Sequence, residues 1–156
     1  MFNNILVGVD RSEHAWAALH EAVDIARTEG SALSALVVYS TNLFWIASAP
    51  MYQTTVDEYL AAVHGEAQRL ADDVADAIPK ELHAQVLMVD GDPAQSILDQ
   101  AVAGGHDLVV VGSRGRDDAT SLLLGSVSHA VLHHSRVPVL IVHVPAIEKA
   151  KSGSLR

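Results

Sequence analysis

The sequence Leu108-Val-Val-Val-Gly112-Ser-Arg-Gly115, followed after nine residues by Gly125-Ser126, contains the signal that decides the fold. Residues 108–111 are an uninterrupted apolar run that ends in glycine, which is typical of a buried strand. Ser126 is a predicted N-cap for the helix that carries Val127. A strand, a glycine loop and a helix start in this order favour anion binding, because glycine lets backbone N–H groups approach a ligand and the helix start adds unpaired donors.

Apolar runs alternate with helical patterns along the rest of the chain. Helices are predicted from Ser12 to about Glu29, from Val56 to just before Pro79, and from Asp92 to the Gly104-Gly105 pair. In the third helix the residues expected to be buried are Ile97, Leu98, Ala101 and Val102. Strands are predicted at 4–9, 32–39, 84–90, 107–112 and 137–144. This alternation predicts an α/β domain with a largely parallel sheet.

Length, charge and cysteine content limit the class of protein. The 156 residues fit one domain, expected at 1–147, with a mobile tail at 148–156. The absence of cysteine excludes disulfides and thiolate metal sites, and no apolar stretch approaches the length of a membrane span, so we expect a soluble, cytoplasmic protein. With 19 acidic and 10 basic residues the net charge is −9, which disfavours nucleic acid as a partner.

Charged residues near the predicted strand ends have two interpretations each. Arg11, Arg114 and Arg116 are candidates for binding phosphate through the planar donors of guanidinium, or they are solvated loop residues. Asp117 and Asp118 are candidates for coordinating a divalent ion on the phosphates, or they face solvent.

The glycine spacing G-x2-G-x9-G-S resembles that of the universal stress protein family, in particular its ATP-binding subgroup. The resemblance extends over nearly the whole chain and includes the sequence Ile-Leu-Val-Gly-Val-Asp at 5–10, Asp92-Pro93, and Ser-Arg-Val-Pro-Val-Leu-Ile-Val at 135–142. It implies a single doubly wound domain with a five-stranded parallel sheet of order 3-2-1-4-5, helices on both faces, and often a dimer. Members of the family with this glycine loop bind ATP, and those without it generally do not.

In the implied strand order, strands one and four are neighbours, and a ligand crevice opens at their carboxyl ends. The resemblance implies that Asp10 lies beside adenine and ribose, that Val38 flanks the base, and that the glycine loop holds the phosphates of ATP, with Mg²⁺ as a candidate companion ion. A carboxylate at Asp10 suits a ribose hydroxyl, although a cap or turn role is the alternative. The predicted nucleotide-contacting residues are Val9, Asp10, Val38, Val111, Gly112, Arg114, Gly115, Arg116, Gly125, Ser126 and Val127.

Other chemistries have weaker signals in the sequence. No G-x-G-x-x-G motif occurs, and none of the three lysines lies in a glycine loop, which excludes a conventional P-loop. His129 and His133 have the spacing of metal ligands on a helix, but no third ligand can be recognised from its spacing, so no metal site is predicted. No catalytic residue is predicted either. The alternative is that His133, His134 and Arg136 interact with carbonyls at the helix end.

Three functions remain open at this point. The first is an ATP-binding stress-response module that acts through conformation or an unknown protein partner, and the second is a slow ATPase or phosphoryl-transfer enzyme. The third is an interaction protein that uses the uncharged stretch 40–56, which is also a candidate lid or a segment packed on the second helix.

Strand five at 139–142 carries no charge that would deter edge pairing, and it is the predicted homodimer contact.

Overall fold

The computed structural model describes residues 1–42, 55–114 and 124–144. Strands and helices alternate in this part of the chain, as the sequence predicts. The elements are β1 (Asn4–Val9), α1 (Glu13–Glu29), β2 (Ala32–Tyr39), α2 (Val56–Ala77), a 3₁₀ turn (Lys80–Leu82), β3 (Gln85–Asp90), α3 (Pro93–Ala103), β4 (Leu108–Gly112), α4 (Ser126–His134) and β5 (Val139–Val142).

The five strands form one sheet of order β3-β2-β1-β4-β5, and every neighbouring pair is parallel. Near the middle of the sheet, Ile5 of β1 lies between Leu33 of β2 and Leu108 of β4. The predicted fold class and strand order are therefore confirmed. Strands β1 and β4 are adjacent although about 100 residues separate them, which is the feature that creates a switch point in the sheet.

Two apolar cores cover the two faces of the sheet. One contains Ile5 and Val7 of β1 together with Leu19 of α1 and Leu70 of α2. The other contains Leu6 of β1, Leu36 of β2, Val109 and Val111 of β4, Ile97 of α3 and Val131 of α4. Because side chains alternate across a strand, β1 supplies residues to both cores, and helices are packed on both faces.

Helix ends agree with most of the predicted signals. The Ser12 hydroxyl accepts a hydrogen bond from the Ala15 N–H at 3.1 Å and caps α1, which ends at Gly30 with φ of 71°, in the left-handed region. Asp92 caps α3, and Pro93 is its first residue. Helix α2 ends at Ala77, ahead of Pro79, as predicted.

Three predictions of local structure are wrong. Ser126 is the first helical residue of α4 and not its cap, because Gly125 has the extended N-cap conformation without any side-chain cap. Val102 is 64% exposed, since α3 turns that side away from the sheet. Strands β3, β4 and β5 are shorter than predicted. For example, β4 begins at Leu108 and not at Asp107, whose carboxylate accepts hydrogen bonds from the N–H groups of Asn3 and Asn4.

Within the described ranges, the structure contains no helix that is both long enough and apolar enough to cross a membrane.

Candidate functional site

A cleft of about 250 Å³ lies at the carboxyl ends of β1 and β4. The chain leaves β1 toward α1 on one face of the sheet and continues from β4 to α4 on the other face, so among the described residues no helix or strand covers the gap between the two strand ends. Apolar side chains form the floor and polar groups stand at the rim. The lining residues are Gly8, Val9, Asp10, Ala15, Leu36, Val38, Pro93, Ile97, Val111, Gly112, Arg114, Ser126, Val127 and Ser128.

Most of the predicted nucleotide-contacting residues are brought together in this cleft. Eight of them line it: Val9, Asp10, Val38, Val111, Gly112, Arg114, Ser126 and Val127. Gly125 is buried and contributes the N-cap of α4, one residue before the lining begins. Gly115 and Arg116, like Asp117 and Asp118, lie outside the described residues.

Asp10 has the turn role that was the alternative to ligand binding, and it also lines the cleft. Its Oδ1 atom accepts a hydrogen bond from the Ser12 N–H at 2.8 Å, which holds the carboxylate in place after β1. Among the described residues, Oδ2 has no hydrogen-bond donor. The two interpretations of Asp10 are therefore compatible, because the turn uses one oxygen and leaves the acceptor capacity of the other available to a ligand in the cleft that Asp10 lines.

The loops after β1 and β4 are tied to each other by Ser12. Besides capping α1, the Ser12 hydroxyl donates to the carbonyl oxygen of Arg114 at 3.3 Å. Ser12 is buried and Arg114 is half-buried, so this link is partly shielded from water. It sets the position of Arg114 relative to Asp10, and these are the two charged residues that line the described part of the cleft.

Gly112 is needed for a reason that the sequence did not suggest. A Cβ atom on Gly112 would lie 2.6 Å from the carbonyl carbon of His14 and 2.7 Å from the Ala15 nitrogen, closer than real contacts allow. The backbone of Gly112 is not in the left-handed region. Glycine is required here because the start of α1 packs directly against the end of β4, which brings both elements to the cleft.

The first turn of α4 lines the cleft with Ser126, Val127 and Ser128. The Gly125 N–H donates to the Ser113 carbonyl at 2.8 Å, and the Ser128 hydroxyl donates to the Gly112 carbonyl at 2.7 Å, so the helix start is anchored to the end of β4. In a helix the N–H groups of the first turn have no partner within the helix, and they carry a partial positive charge. An anion held between Arg114 and this turn would meet only positive charge and donors from these two sides.

Arg11 does not join Arg114 at the cleft. Its guanidinium lies 3.4 Å from Glu66 and 3.5 Å from Asp73, both on α2, on the other side of the sheet. There it borders a second cleft of about 280 Å³ between the end of β2 and α2, next to Tyr39 and Tyr59. The sequence placed Arg11 near a phosphate site, and the structure instead pairs it with carboxylates.

The histidines of α4 form a surface pair. The rings of His129 and His133 are 4.5 Å apart, centroid to centroid, and neither residue lines the cleft. Within the described residues there is no group of three or more His, Asp or Glu side chains positioned for a metal ion.

Sequence reasoning missed a cluster formed by His14, Ser113 and His143. The Ser113 hydroxyl lies 3.2 Å from Nδ1 of His14 and 3.0 Å from Nδ1 of His143, and the two rings are stacked with centroids 5.4 Å apart. Burial, followed by the neighbouring His143 and Arg114, lowers the pKa of His14 below its ordinary value of 6.5. No local spacing reveals this cluster, because its three members are brought together only by the order of the strands.

The fold and the cleft define a doubly wound α/β domain with an open crevice at its switch point. The Universal stress protein family profile matches residues 1–143. The chain is 36% identical over 149 residues to the universal stress protein YxiE of Bacillus subtilis, with 91% of this chain and 99% of that protein covered. The chain therefore belongs to the universal stress protein family.

Solved structures agree with this assignment. The universal stress protein UspA from Lactobacillus plantarum superimposes with a TM-score of 0.71 at 28% identity, covering 90% of this chain and 97% of that one. A universal stress protein solved in complex with cAMP gives a TM-score of 0.58 at 25% identity, covering 91% of this chain and 97% of that one.

Proposed function

We propose that this protein is an ATP-binding stress-response module, and that ATP occupies the cleft between the ends of β1 and β4. The observation that carries the proposal is the convergence of three unlike surfaces in one cleft: apolar walls, a carboxylate at Asp10, and a cationic and donor-rich side formed by Arg114 and the first turn of α4. A nucleotide has the matching three parts, namely a base, a ribose with hydroxyl donors, and phosphates.

Each part of ATP has a place in this proposal. The adenine ring lies against Val38 and the neighbouring apolar side chains, which belong to or pack on the second core and are held by it. The free Oδ2 of Asp10 accepts a ribose hydroxyl. The phosphates lie over Gly112 toward Arg114, Ser126 and Val127, with Gly115, Arg116 and Gly125 completing the loop and Mg²⁺ as a possible companion ion.

Two further facts support nucleotide binding. The cAMP complex of a structural neighbour shows that one member of this fold family holds an adenine nucleotide. In addition, the volume of about 250 Å³ is close to the lower end of the range for small-molecule pockets, which starts at about 300 Å³.

The proposal is tested by Ser126→Glu, with Gly65→Glu as the matched control. Glutamate is favourable in the first turn of a helix, so Ser126→Glu is expected to keep α4 folded while its charge repels the phosphates. Gly65 is on α2, where a side chain meets only Arg69 at 3.8 Å, so the control adds the same charge without touching the cleft. Calorimetry with ATP should show binding that is lost in Ser126→Glu and unchanged in Gly65→Glu. Equal ATP affinity in both folded variants would refute the site.

A ligand panel separates the ATP proposal from broader nucleotide binding. We expect ATP to bind more tightly than cAMP, because cAMP offers a single phosphate to Arg114 and to the first turn of α4, and more tightly than inorganic triphosphate, which lacks a base for the apolar walls. Adding Mg²⁺ to the same titration shows whether the ion strengthens binding. Tighter binding of cAMP than of ATP would leave the cleft as the site but change its ligand.

We also propose a homodimer joined through β5. The sheet order makes β5 an edge strand, and its residues Val139–Val142 are all apolar and only half-buried in the single chain. An exposed edge of this kind is normally covered, and a twofold axis allows the strand to pair with its own copy.

A further inference from the structure

The His14, Ser113 and His143 cluster lies beside the proposed nucleotide cleft without lining it. His14 is in the first turn of α1, Ser113 directly follows β4, and His143 directly follows β5. Ser113 is only 6% exposed, so its hydroxyl depends on the two imidazoles for hydrogen bonds. The cluster therefore joins three chain segments around the buried Ser113 hydroxyl, with His14 half-buried and His143 exposed.

The protonation state of His14 follows from its backbone partner. The N–H of Val144 donates to Nδ1 of His14 at 3.0 Å. A backbone N–H is always a donor, so Nδ1 must be an acceptor and His14 must be the neutral imidazole with its proton on Nε2. A proton on Nδ1 would place two N–H groups against each other at this distance.

The backbone of Ser113 connects this cluster to the anion-binding loop. Its N–H donates to the Val142 carbonyl at 2.7 Å, and its carbonyl accepts the N–H of Gly125, the N-cap of α4, at 2.8 Å. Its chain neighbours Gly112 and Arg114 both line the cleft. A shift of Ser113 would therefore move the helix start and the arginine on which phosphate binding depends.

We propose that neutral His14 is a pH-sensitive clasp that holds Ser113 and Arg114, which follow β4, in the geometry of the proposed ligand site, and that protonation of His14 releases Val144 and weakens nucleotide binding. This inference rests on the proposed function and adds a regulation of the same site. The protonated ring loses the acceptor that holds Val144, and its Nδ1–H instead donates to the Ser113 hydroxyl oxygen. The Ser113 O–H then turns to Nδ1 of His143, whose proton moves to Nε2.

The groups around His14 set the pH at which the clasp opens. Burial of the ring, His143 after β5 and Arg114 after β4 all disfavour the charged form, whereas Glu13 on α1 and Asp10 after β1 favour it. The first three prevail, so the pKa of His14 lies below its ordinary value of 6.5 and the ring is neutral at neutral pH.

Protonation of His14 also has an effect in the opposite direction, because a new positive charge near the cleft attracts phosphates. His14 does not line the cleft, so its charge would act on a ligand from behind Gly112 and the start of α1. The loss of one hydrogen bond corresponds to roughly three- to tenfold in an equilibrium constant. We expect this geometric loss to exceed the electrostatic gain.

The decisive variant is His14→Asn, since the side-chain oxygen of asparagine can take the place of Nδ1 and is an acceptor at every pH. His20→Asn, on the exposed side of α1, is the matched control. ATP affinity is measured by calorimetry at about pH 8 and about pH 5.5, on either side of the ordinary histidine pKa of about 6.5. ATP itself titrates in this range, so the quantity compared between proteins is the ratio of the two dissociation constants.

We expect acidification to weaken ATP binding by about three- to tenfold more in wild type and His20→Asn than in His14→Asn. His14→Ala, which lacks the acceptor, should bind weakly at both pH values. The proposed clasp is refuted if wild type and His14→Asn have the same ratio of dissociation constants at the two pH values. It is also refuted if acidification strengthens ATP binding in wild type relative to His14→Asn.

NMR of the protein without nucleotide separates this inference from the proposed function. The amide signals of Ser113, Gly125 and Val144 should follow the titration of the His14 ring in wild type and lose that transition in His14→Asn. If none of the proteins binds ATP at about pH 8, the proposed function fails and the amide titration alone decides whether the clasp exists. If the amides do not titrate with His14, the clasp is refuted even where ATP binds.

Discussion

The hydroxyl of Ser12 donates to the carbonyl oxygen of Arg114 at 3.3 Å, joining the loops that follow β1 and β4 across 102 residues of sequence. The same hydroxyl accepts the Ala15 N–H and caps α1. One buried oxygen thus sets both the start of a helix and the distance between the two sides of the cleft.

Ser12→Ala is expected to lower both stability and ATP affinity. Loss of the cap costs about 1 kcal/mol, and loss of the link to Arg114 costs about another 0.5 to 1.5 kcal/mol. Thr55→Ala removes the cap of α2, which is exposed and makes no contact with the cleft, so it should cost about 1 kcal/mol without changing ATP affinity. Urea unfolding and calorimetry on both variants make the comparison. If Ser12→Ala loses no more stability than Thr55→Ala and its ATP affinity is unchanged, the link to Arg114 contributes nothing.

Asp107→Asn is expected to reduce the acid sensitivity of the fold. The N–H of Asn4, followed by groups of Asn3, lowers the pKa of Asp107 below its ordinary value of 3.8 despite some desolvation. Its stabilising contribution is therefore complete above about pH 4 and is lost as the pH falls through the ordinary pKa and then the lower folded one. The variant should have a lower Tm than wild type at neutral pH, and the difference should shrink toward about pH 3.

Asp76→Asn, on the exposed side of α2, is the control for that experiment, since it removes the same charge without a comparable set of donors. Thermal unfolding followed by circular dichroism at several pH values gives the comparison. A difference between Asp107→Asn and wild type that stays constant down to about pH 3 would mean that the hydrogen bonds of Asp107 do not depend on its charge.

Strand β5 provides a prediction about assembly. Light scattering at micromolar concentration should give twice the chain mass of 16.6 kDa, that is, about 33 kDa. Ile141→Lys places a charge on the edge strand and should shift the mass toward the monomer. Leu132→Lys, at an exposed position of α4, should leave the dimer intact. A wild-type monomer mass would rule out the proposed interface, and circular dichroism confirms that Ile141→Lys is folded before its mass is interpreted.

The sequence was sufficient for the elements and, with the family resemblance, for the strand order, because apolar runs and caps such as Ser12 and Asp92 act locally. It was less informative wherever a distant element decides the role of a residue. Gly112 is required by the backbone of His14 and Ala15, which no local pattern reveals. Arg11 pairs with α2 rather than with a ligand for the same reason. The contacts of Ser113 with His14 and His143 depend on the sheet order, which places β4 between β1 and β5.

The last prediction concerns catalysis. Fast phosphoryl transfer requires charge neutralisation, a held leaving group and a base that orients the nucleophile. In the described part of the cleft, Arg114 and the first turn of α4 meet the first two needs, whereas Asp10, the only carboxylate on the lining, is held by Ser12 at the end proposed for ribose. We therefore expect ATP turnover well below the ~1 to 100 per second typical of kinases. A coupled assay on purified protein measures it, with Ser126→Glu as the control for contaminating ATPase, because true turnover must disappear when binding does. Turnover in the kinase range that is lost in Asp117→Asn or Asp118→Asn, with ATP binding retained, would make those aspartates catalytic and the protein an enzyme.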